Sequence, residues 1–137
     1  MSFRRGHGES SRAKKGYTIP AMAGDLEMLV RTLNVPHIAV VGWSMGGLIA
    51  LELARRLGDR VSALGLVCTT PGGLADPEAP DADPTRLDQM RAAMRADLKT
   101  FLRGLAAQLF KAGTDSPLHS WAFREMQKTP GTVVETC

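Results

Sequence analysis

The feature that most constrains the fold of this chain is a glycine-rich turn directly after a short apolar run. Residues 38–41 are Ile-Ala-Val-Val, and Gly42-Trp43-Ser44-Met45-Gly46-Gly47 follows them. A short apolar run is typical of a buried strand, and the long apolar-striped segment behind the turn is typical of a helix. A Gly-x-Ser-x-Gly sequence between a strand and a helix predicts a sharp turn that presents the serine at the end of a sheet.

Ser44 is the candidate nucleophile of this turn. A serine hydroxyl reacts poorly by itself and needs a base within hydrogen-bond reach. Gly42 and Gly46 remove the side chains that would clash on either side of the strained turn. We expect the Met45 amide, at the start of the helix, to face an oxyanion that develops on an attacked carbonyl, with help from the helix dipole. Trp43, beside the serine, is a candidate residue of the substrate pocket.

Other glycine-rich motifs fit this turn less well. A dinucleotide fingerprint needs Gly-x-Gly-x-x-Gly, and serine stands at position 44. A Walker A loop ends in Gly-Lys-Ser/Thr, whereas Gly47 is followed by Leu48 and Ile49. We therefore expect no cofactor, and three scattered histidines with two distant cysteines predict no metal site. The remaining alternative is a strand-to-helix turn that contains a serine by chance.

Apolar spacing predicts an α/β order around the turn. A helix begins after Thr18 as its N-cap and ends at Asn34. The turn leads into a helix over residues 45–57, and a second apolar strand, expected to be buried, covers residues 61–68. This strand–helix–strand order predicts a parallel pair whose carboxyl ends meet at one edge, where ligands gather in open α/β sheets.

The composition changes after the second strand. We expect a core over residues 1–73, an acidic proline-rich linker over 74–84, and a helical segment over 85–137. An apolar stripe with steps of three and four predicts one helix over residues 85–111, and a further helix covers 117–127. Three linker carboxylates could orient a base, although their proline-rich setting favours a solvated segment: Asp76, Asp81 and Asp83.

Two motifs of the chain resemble those of the α/β-hydrolase fold family. Residues 38–57 are similar to its nucleophile elbow, and Arg5-Gly6-His7-Gly8-Glu9-Ser10 is similar to its Arg-Gly-His-Gly-x-Ser turn. The resemblance implies an α/β fold: a partial hydrolase core of parallel strand, helix and strand around the elbow, then the start of a helical cap. It also implies a serine hydrolase that cleaves an ester or related acyl bond of a small-molecule substrate.

The groups that would activate Ser44 are not evident in the sequence. The resemblance gives His7 a structural role in its turn, and His37 precedes the elbow strand at the end opposite the serine. His119 lies in the cap segment. In the resembling family the acid and the histidine follow the cap, and a second oxyanion amide precedes the Arg-Gly-His-Gly turn. We therefore expect the chain to be a central fragment of such a fold.

Two further observations favour a fragment. Two strands are too few for a stable parallel sheet with covered faces and edges. Thr132-Val133-Val134-Glu135 is a capping box, which predicts a helix start close to the end of the chain. Two hypotheses stay open: a serine hydrolase whose missing groups come from outside these residues, or a catalytically silent remnant. The silent fragment could associate with another protein to complete its sheet.

The composition argues against a membrane protein, a secreted protein and a nucleic-acid-binding protein. The chain has 137 residues, of which 44% are hydrophobic and 23% are charged. It has no apolar run long enough for a membrane helix and no apolar stretch near the N-terminus that would serve as a signal peptide. Cys68 and Cys137 do not indicate a disulfide framework, so a cytoplasmic location is expected. The net charge of +3 is concentrated in the first twenty residues. Without interleaved aromatic residues, this basic segment favours a solvated loop over a nucleic-acid arm.

Overall fold

A computed structural model of the chain describes residues 5–69, 85–110 and 116–134. The chain divides into two compact units, one of Lys15–Pro84 and the other of Met1–Lys14 together with Thr85–Cys137. The linker predicted over residues 74–84 lies outside the described residues, as do the three aspartates within it.

The unit of Lys15–Pro84 has the predicted alternation of helices and strands. Its elements are α1 (Ile19–Leu33), β1 (Ile38–Trp43), α2 (Met45–Leu57) and β2 (Val61–Val67), with one turn of 3-10 helix (Gly58–Arg60) ahead of β2. The α/β fold class and the strand–helix–strand order are therefore confirmed. β2 ends one residue earlier than predicted, because Cys68 turns out of the strand with a φ of 50°.

Helix α1 begins and ends at the residues that its caps predict. The Thr18 hydroxyl accepts a hydrogen bond from the Ala21 amide at 3.4 Å. Pro20 lies in the first turn, where a missing N–H leaves no intrahelical bond unmade. Asn34 ends the helix in the left-handed conformation, with a φ of 52°, and short polar residues adopt this conformation at lower cost than most.

The two strands form a parallel pair whose register sets the position of the turn. Val41 lies opposite Gly65, and Trp43 lies opposite Val67. Paired residues of parallel strands point to the same face of a sheet, and both strands here end together. Ser44 is thus held at the carboxyl edge of the pair.

Helix α2 covers one face of the sheet and packs against α1 as well as both strands. The core of this unit is formed by buried apolar side chains of the two helices. Full burial of one such aliphatic side chain contributes about 1.5–3 kcal/mol. The buried residues are Met22, Ala23 and Val30 on α1, and Ile49, Ala50, Leu53 and Leu57 on α2.

The opposite face of the sheet is exposed, so the expectation of a buried second strand is wrong for the described residues. Val41 is 75% exposed, Trp43 is 51% exposed and Val67 is 46% exposed. Val41 and Trp43 alternate with half-buried and buried residues along β1, as a strand covered on one side requires. We call the side formed by Val41, Trp43 and Val67 the open face.

In the other unit, the described residues from 86 onward are mostly helical. Its elements are α3 (Arg86–Ala96), α4 (Leu98–Gln108), α5 (Pro117–Gln127) and a short α6 (Gly131–Val134). α4 packs against both α3 and α5, with Leu102 and Ala106 among the buried residues. No described helix is long and apolar enough to cross a lipid bilayer.

The prediction of a single helix over residues 85–111 is wrong, because the helix is interrupted at Asp97. This residue is extended, with a φ of −156° and a ψ of 89°, and its carboxylate accepts a hydrogen bond from the Thr100 amide at 3.0 Å. Asp97 therefore ends α3 and caps α4. The apolar residues keep their helical spacing on both sides of Asp97, which is why the pattern predicted one helix. The preference of aspartate for the N-cap position was the local signal for a helix start at this point.

The helix start predicted at Thr132 also needs correction. α6 begins at Gly131, directly after Pro130, so Thr132 lies inside the helix and not at its cap. Proline pre-orders the backbone at a helix start, and here the helix begins immediately behind it. Glu135, the other half of the predicted capping box, lies outside the described residues.

Candidate active site

The turn between β1 and α2 has an unusual backbone at its serine. Ser44 has a φ of 52° and a ψ of −126°. A non-glycine residue in such a conformation costs on the order of 1–3 kcal/mol and persists only where its surroundings hold it. The sequence predicts this strain, because a Gly-x-Ser-x-Gly segment stands between a strand and a helix.

Gly42 allows the turn to close. A Cβ atom at Gly42 would lie 2.5 Å from the Cα of Gly47 and 2.7 Å from the carbonyl carbon of Gly46, and it would also contact the Gly46 oxygen. Real Cβ atoms do not approach backbone atoms this closely. The strand therefore reaches the first turn of α2 only with glycine at position 42.

Three hydrogen bonds hold the backbone of Ser44. Its amide donates to the Val67 carbonyl at 2.9 Å, which joins the turn to the end of β2. Its carbonyl accepts from the Gly47 amide and from the Thr69 hydroxyl, each at 2.9 Å. The sequence does not point to Thr69 as a partner of Ser44, because no periodicity or motif links a residue behind β2 to the turn.

The side chain of Ser44 is available for chemistry. Ser44 is exposed and stands at the N-cap position of α2, yet its side chain makes no capping hydrogen bond. Met45 is the first residue of α2, where amides have no intrahelical partner. No acidic residue lies in the first turn of α2 to offset the positive end of its dipole. The serine hydroxyl and the first amide of a helix are thus adjacent.

Trp43 and Gly46 flank the serine in different ways. The Trp43 ring belongs to the open face and stands opposite Val67. Gly46 contributes its backbone, which is the surface that a side chain at Gly42 would strike. The turn is therefore lined by an exposed apolar ring on the strand side and by close-packed backbone on the helix side.

Two histidines make local backbone contacts. His7 lies in a turn where its Nδ1 is 3.0 Å from the Arg5 carbonyl oxygen and the Gly6 amide donates to the Ser11 carbonyl. His37 precedes β1, and its Nδ1 is 3.3 Å from the Asp59 carbonyl oxygen. The whole length of β1 separates His37 from the serine end of that strand, so the histidine of this unit is not brought to Ser44.

His119 is buried in the helical unit. It is 6% exposed, its Nε2 lies 3.3 Å from the Arg103 carbonyl oxygen, and its ring stacks on Phe123 at 6.4 Å. Its Nδ1 is buried without a hydrogen-bond partner among the described residues. These contacts account for His119 as a packing residue between α4 and α5.

Two glutamates on the helices of the unit of Ser44 have lowered pKa values, Glu27 on α1 and Glu52 on α2. Hydrogen bonds from Arg55 and Arg56, each at 2.8 Å, lower the pKa of Glu52 to about 2. A hydrogen bond from Arg31 lowers the pKa of Glu27, which also lies 3.7 Å from Arg56 across the α1–α2 contact. Both carboxylates stay ionised at neutral pH, so neither is suited to act as a base, and the Glu27–Arg56 pair joins α1 to α2.

Within residues 5–69, 85–110 and 116–134, no group of histidine, cysteine and carboxylate side chains is arranged to hold a metal ion. The turn itself places a serine hydroxyl beside a helix N-terminus.

Comparison with known proteins agrees with this geometry. The model of the alpha/beta hydrolase fold family matches residues 4–136. The AB hydrolase superfamily protein YisY of Bacillus subtilis (strain 168) is 32% identical over 120 residues, which are 85% of this chain and 45% of that protein. The pimeloyl-[acyl-carrier protein] methyl ester esterase of Chromobacterium violaceum is 38% identical over 91 residues, 66% of this chain and 32% of the esterase.

Solved structures show the same fold. An esterase from Exiguobacterium antarcticum superposes with a TM-score of 0.77 at 26% identity, covering 97% of this chain and 52% of the esterase. A bromoperoxidase from Bacillus anthracis superposes with a TM-score of 0.84 at 24% identity, covering 98% of this chain and 52% of that structure. The chain thus spans about half the length of the proteins that it matches.

Proposed function

Because the chain belongs to the α/β-hydrolase fold family, we propose that it hydrolyses an ester or a related acyl bond with Ser44 as the nucleophile. The observation that carries the proposal is the strained backbone of Ser44, which presents an exposed hydroxyl, without a capping hydrogen bond, beside the first amide of α2. Strain of this kind clusters at functional sites, where the surrounding structure holds it in place.

The proposed reaction uses the turn in two ways. The Ser44 oxygen attacks the acyl carbon, its proton passes to a general base, and the carbonyl oxygen becomes an oxyanion that the Met45 amide stabilises. Collapse of this intermediate releases the alcohol, which takes the proton from the base. Water then attacks the acyl-serine in the same manner, releases the acid and restores the hydroxyl.

The general base and its acidic partner belong, in this proposal, to sequence beyond the 137 residues. The histidines with described contacts are engaged with backbone carbonyls, and the relatives are about twice as long as the chain. The esterase names of two matched proteins support an ester as the substrate class.

The test is covalent labelling by a fluorophosphonate probe, followed by mass spectrometry. We expect one adduct on the chain, its loss in Ser44→Ala, and its retention in the control Ser62→Ala. Ser62 is also exposed, but its hydroxyl donates to the Ile38 carbonyl at 3.1 Å. Labelling is expected to be slow, since a site without its base keeps only roughly 10³–10⁴-fold catalysis over water. Equal labelling of Ser44→Ala and the wild type would refute the proposal.

The open face favours a second candidate, a fragment that is silent until a partner completes its sheet. Parallel sheets are covered on both faces in α/β proteins, and Val41, Trp43 and Val67 here leave apolar surface in water. The occupant that fits is a polypeptide with the remaining strands and helices of the same fold, because the matched proteins have about twice the length of this chain.

This second candidate is tested with the part of the Bacillus subtilis relative that the chain does not match, expressed separately. Binding should shift Trp43 fluorescence to shorter wavelength and accelerate labelling of Ser44, and Val41→Lys should weaken both effects. Trp121→Phe removes the other tryptophan and leaves Trp43 as the reporter. Self-association through the open face would instead appear as a dimer in sedimentation without the added polypeptide.

A further inference from the structure

The carbonyl of Ser44 is held by two donors from different parts of the chain. One is the Gly47 amide within α2, and the other is the Thr69 hydroxyl, 25 residues away in sequence, both at 2.9 Å. The Thr69 hydroxyl also lies 3.2 Å from the Val67 carbonyl oxygen. A hydroxyl has one hydrogen to donate, and the shorter distance favours the bond to Ser44.

The orientation of this carbonyl fixes the orientation of the next amide. The Ser44 carbonyl and the Met45 N–H belong to one peptide unit, which is planar and trans. The oxygen and the amide hydrogen therefore point in opposite directions. Any group that holds the Ser44 oxygen also sets the direction in which the Met45 N–H points.

Thr69 is packed closely enough to act as a rigid support. A Cβ atom at Gly47 would lie 2.6 Å from the Thr69 Cγ2 and 2.7 Å from its Cβ, and would also meet the hydroxyl oxygen. The absence of a side chain at Gly47 is what lets the first turn of α2 approach Thr69. The side chain of Thr69 thus lies against the first turn of α2 with its hydroxyl oxygen nearest to Gly47, and the same hydroxyl donates to the Ser44 carbonyl.

We propose that Thr69 is a positioning residue, which aims the Met45 amide by holding the carbonyl of Ser44. The inference rests on the proposed function, in which Ser44 is the nucleophile and the Met45 amide stabilises the oxyanion. Thr69 does not touch the substrate in this account. It supplies a donor from the end of β2, so the geometry of the elbow depends on a second strand and not on the Gly-x-Ser-x-Gly segment alone.

The experiment compares Thr69→Val, which removes the hydroxyl and keeps the shape, with Thr69→Ser, which keeps the hydroxyl. The direct readout is the direction of the Met45 N–H bond, from residual dipolar couplings of the full chain. Thr69→Val should reorient this bond while the Leu53 N–H on the same helix stays in place. Thr69→Ser should keep the wild-type coupling, because its hydroxyl still donates to the Ser44 carbonyl. If Thr69 only filled space, Thr69→Val would keep the wild-type coupling instead.

The second readout is the rate of fluorophosphonate labelling. Thr69→Val should lower the maximal rate of labelling about tenfold with little change in probe affinity, as expected when one hydrogen bond that orients an oxyanion donor is lost. Thr69→Ser should label within about twofold of the wild type, because its hydroxyl still donates. If Thr69→Val does not fold, Thr69→Ala compared with Thr69→Ser gives the same contrast.

An unchanged Met45 coupling in a folded Thr69→Val variant would overturn the inference, as would an unchanged labelling rate when the wild type labels faster than Ser44→Ala. A wild type that labels no faster than Ser44→Ala would instead refute the proposed function. In that case the coupling of the Met45 amide still decides whether Thr69 aims it. The experiment therefore distinguishes a failure of the positioning role of Thr69 from a failure of the nucleophilic role of Ser44.

Discussion

Substitution of Gly42 by alanine should damage the elbow, because the added methyl group would strike the backbone of α2. The new Cβ would stand 2.5 Å from the Cα of Gly47 and 2.7 Å from the carbonyl carbon of Gly46. Carbon atoms pack favourably at about 3.5–4.0 Å, so the first turn of α2 has to retreat by roughly 1 Å. Overpacking of this kind costs about 1–3 kcal/mol, and both neighbours are backbone atoms that cannot rotate away.

Gly104 is the matched control, with the opposite expected sign. It lies in the middle of α4 and is exposed, and outside the backbone of its own helix no described atom lies within 4 Å of the position its Cβ would take. Gly104→Ala should stabilise the helical unit by about 0.5–1 kcal/mol, the usual gain when alanine replaces glycine inside a helix. The two substitutions add the same atom, so their difference isolates the contact at the turn.

The assay is urea unfolding followed by tryptophan fluorescence in each unit. Trp121→Phe leaves Trp43 to report the unit of Gly42, and Trp43→Phe leaves Trp121 to report the unit of Gly104. With a urea dependence of about 1 kcal/mol per M for a unit of this size, Gly42→Ala should lower the midpoint by roughly 1–3 M. A midpoint that stays the same or rises would refute the argument that glycine is required at position 42.

Three further outcomes follow from the same structure. Ser44→Gly should be about 1 kcal/mol more stable than Ser44→Ala in urea unfolding, because alanine keeps the positive-φ strain that glycine relieves; equal stabilities would argue against the strain. Glu52→Gln should lose its destabilising effect as the pH falls from about 4.5 to about 2, since the lowered pKa of Glu52 stabilises the folded state above that window. A difference from the wild type that grows on acidification would contradict this assignment. Asp97→Ala should lower the helicity and the melting temperature measured by circular dichroism, and Asp97→Asn should lower them less, because asparagine still caps α4. Equal losses in both Asp97 variants would mean that the cap contributes little.

Local sequence signals predicted the elements around the turn well. The caps at Thr18 and Asn34 mark the ends of α1, and the glycine pattern marks the start of α2, because each depends on residues within one helical turn. The prediction failed at Asp97 because the apolar spacing continues from α3 into α4. The end of one helix and the start of the next depend there on a single capping side chain.

Contacts between distant residues could not be predicted in the same way. The hydrogen bond from Thr69 to Ser44 and the ion pair between Glu27 and Arg56 join segments that only the parallel pairing and the helix packing bring together. The exposure of Val41 was also missed, since an apolar strand has the same sequence whether its second face is covered or not.

The central claim, that Ser44 is a nucleophile beside an anion-stabilising amide, is tested most directly by the structure of the fluorophosphonate adduct. We predict phosphorus bonded to the Ser44 oxygen and its non-bridging oxygen about 2.7–3.1 Å from the Met45 amide nitrogen. An adduct on another residue, or a phosphonyl oxygen that points away from α2, would contradict the account.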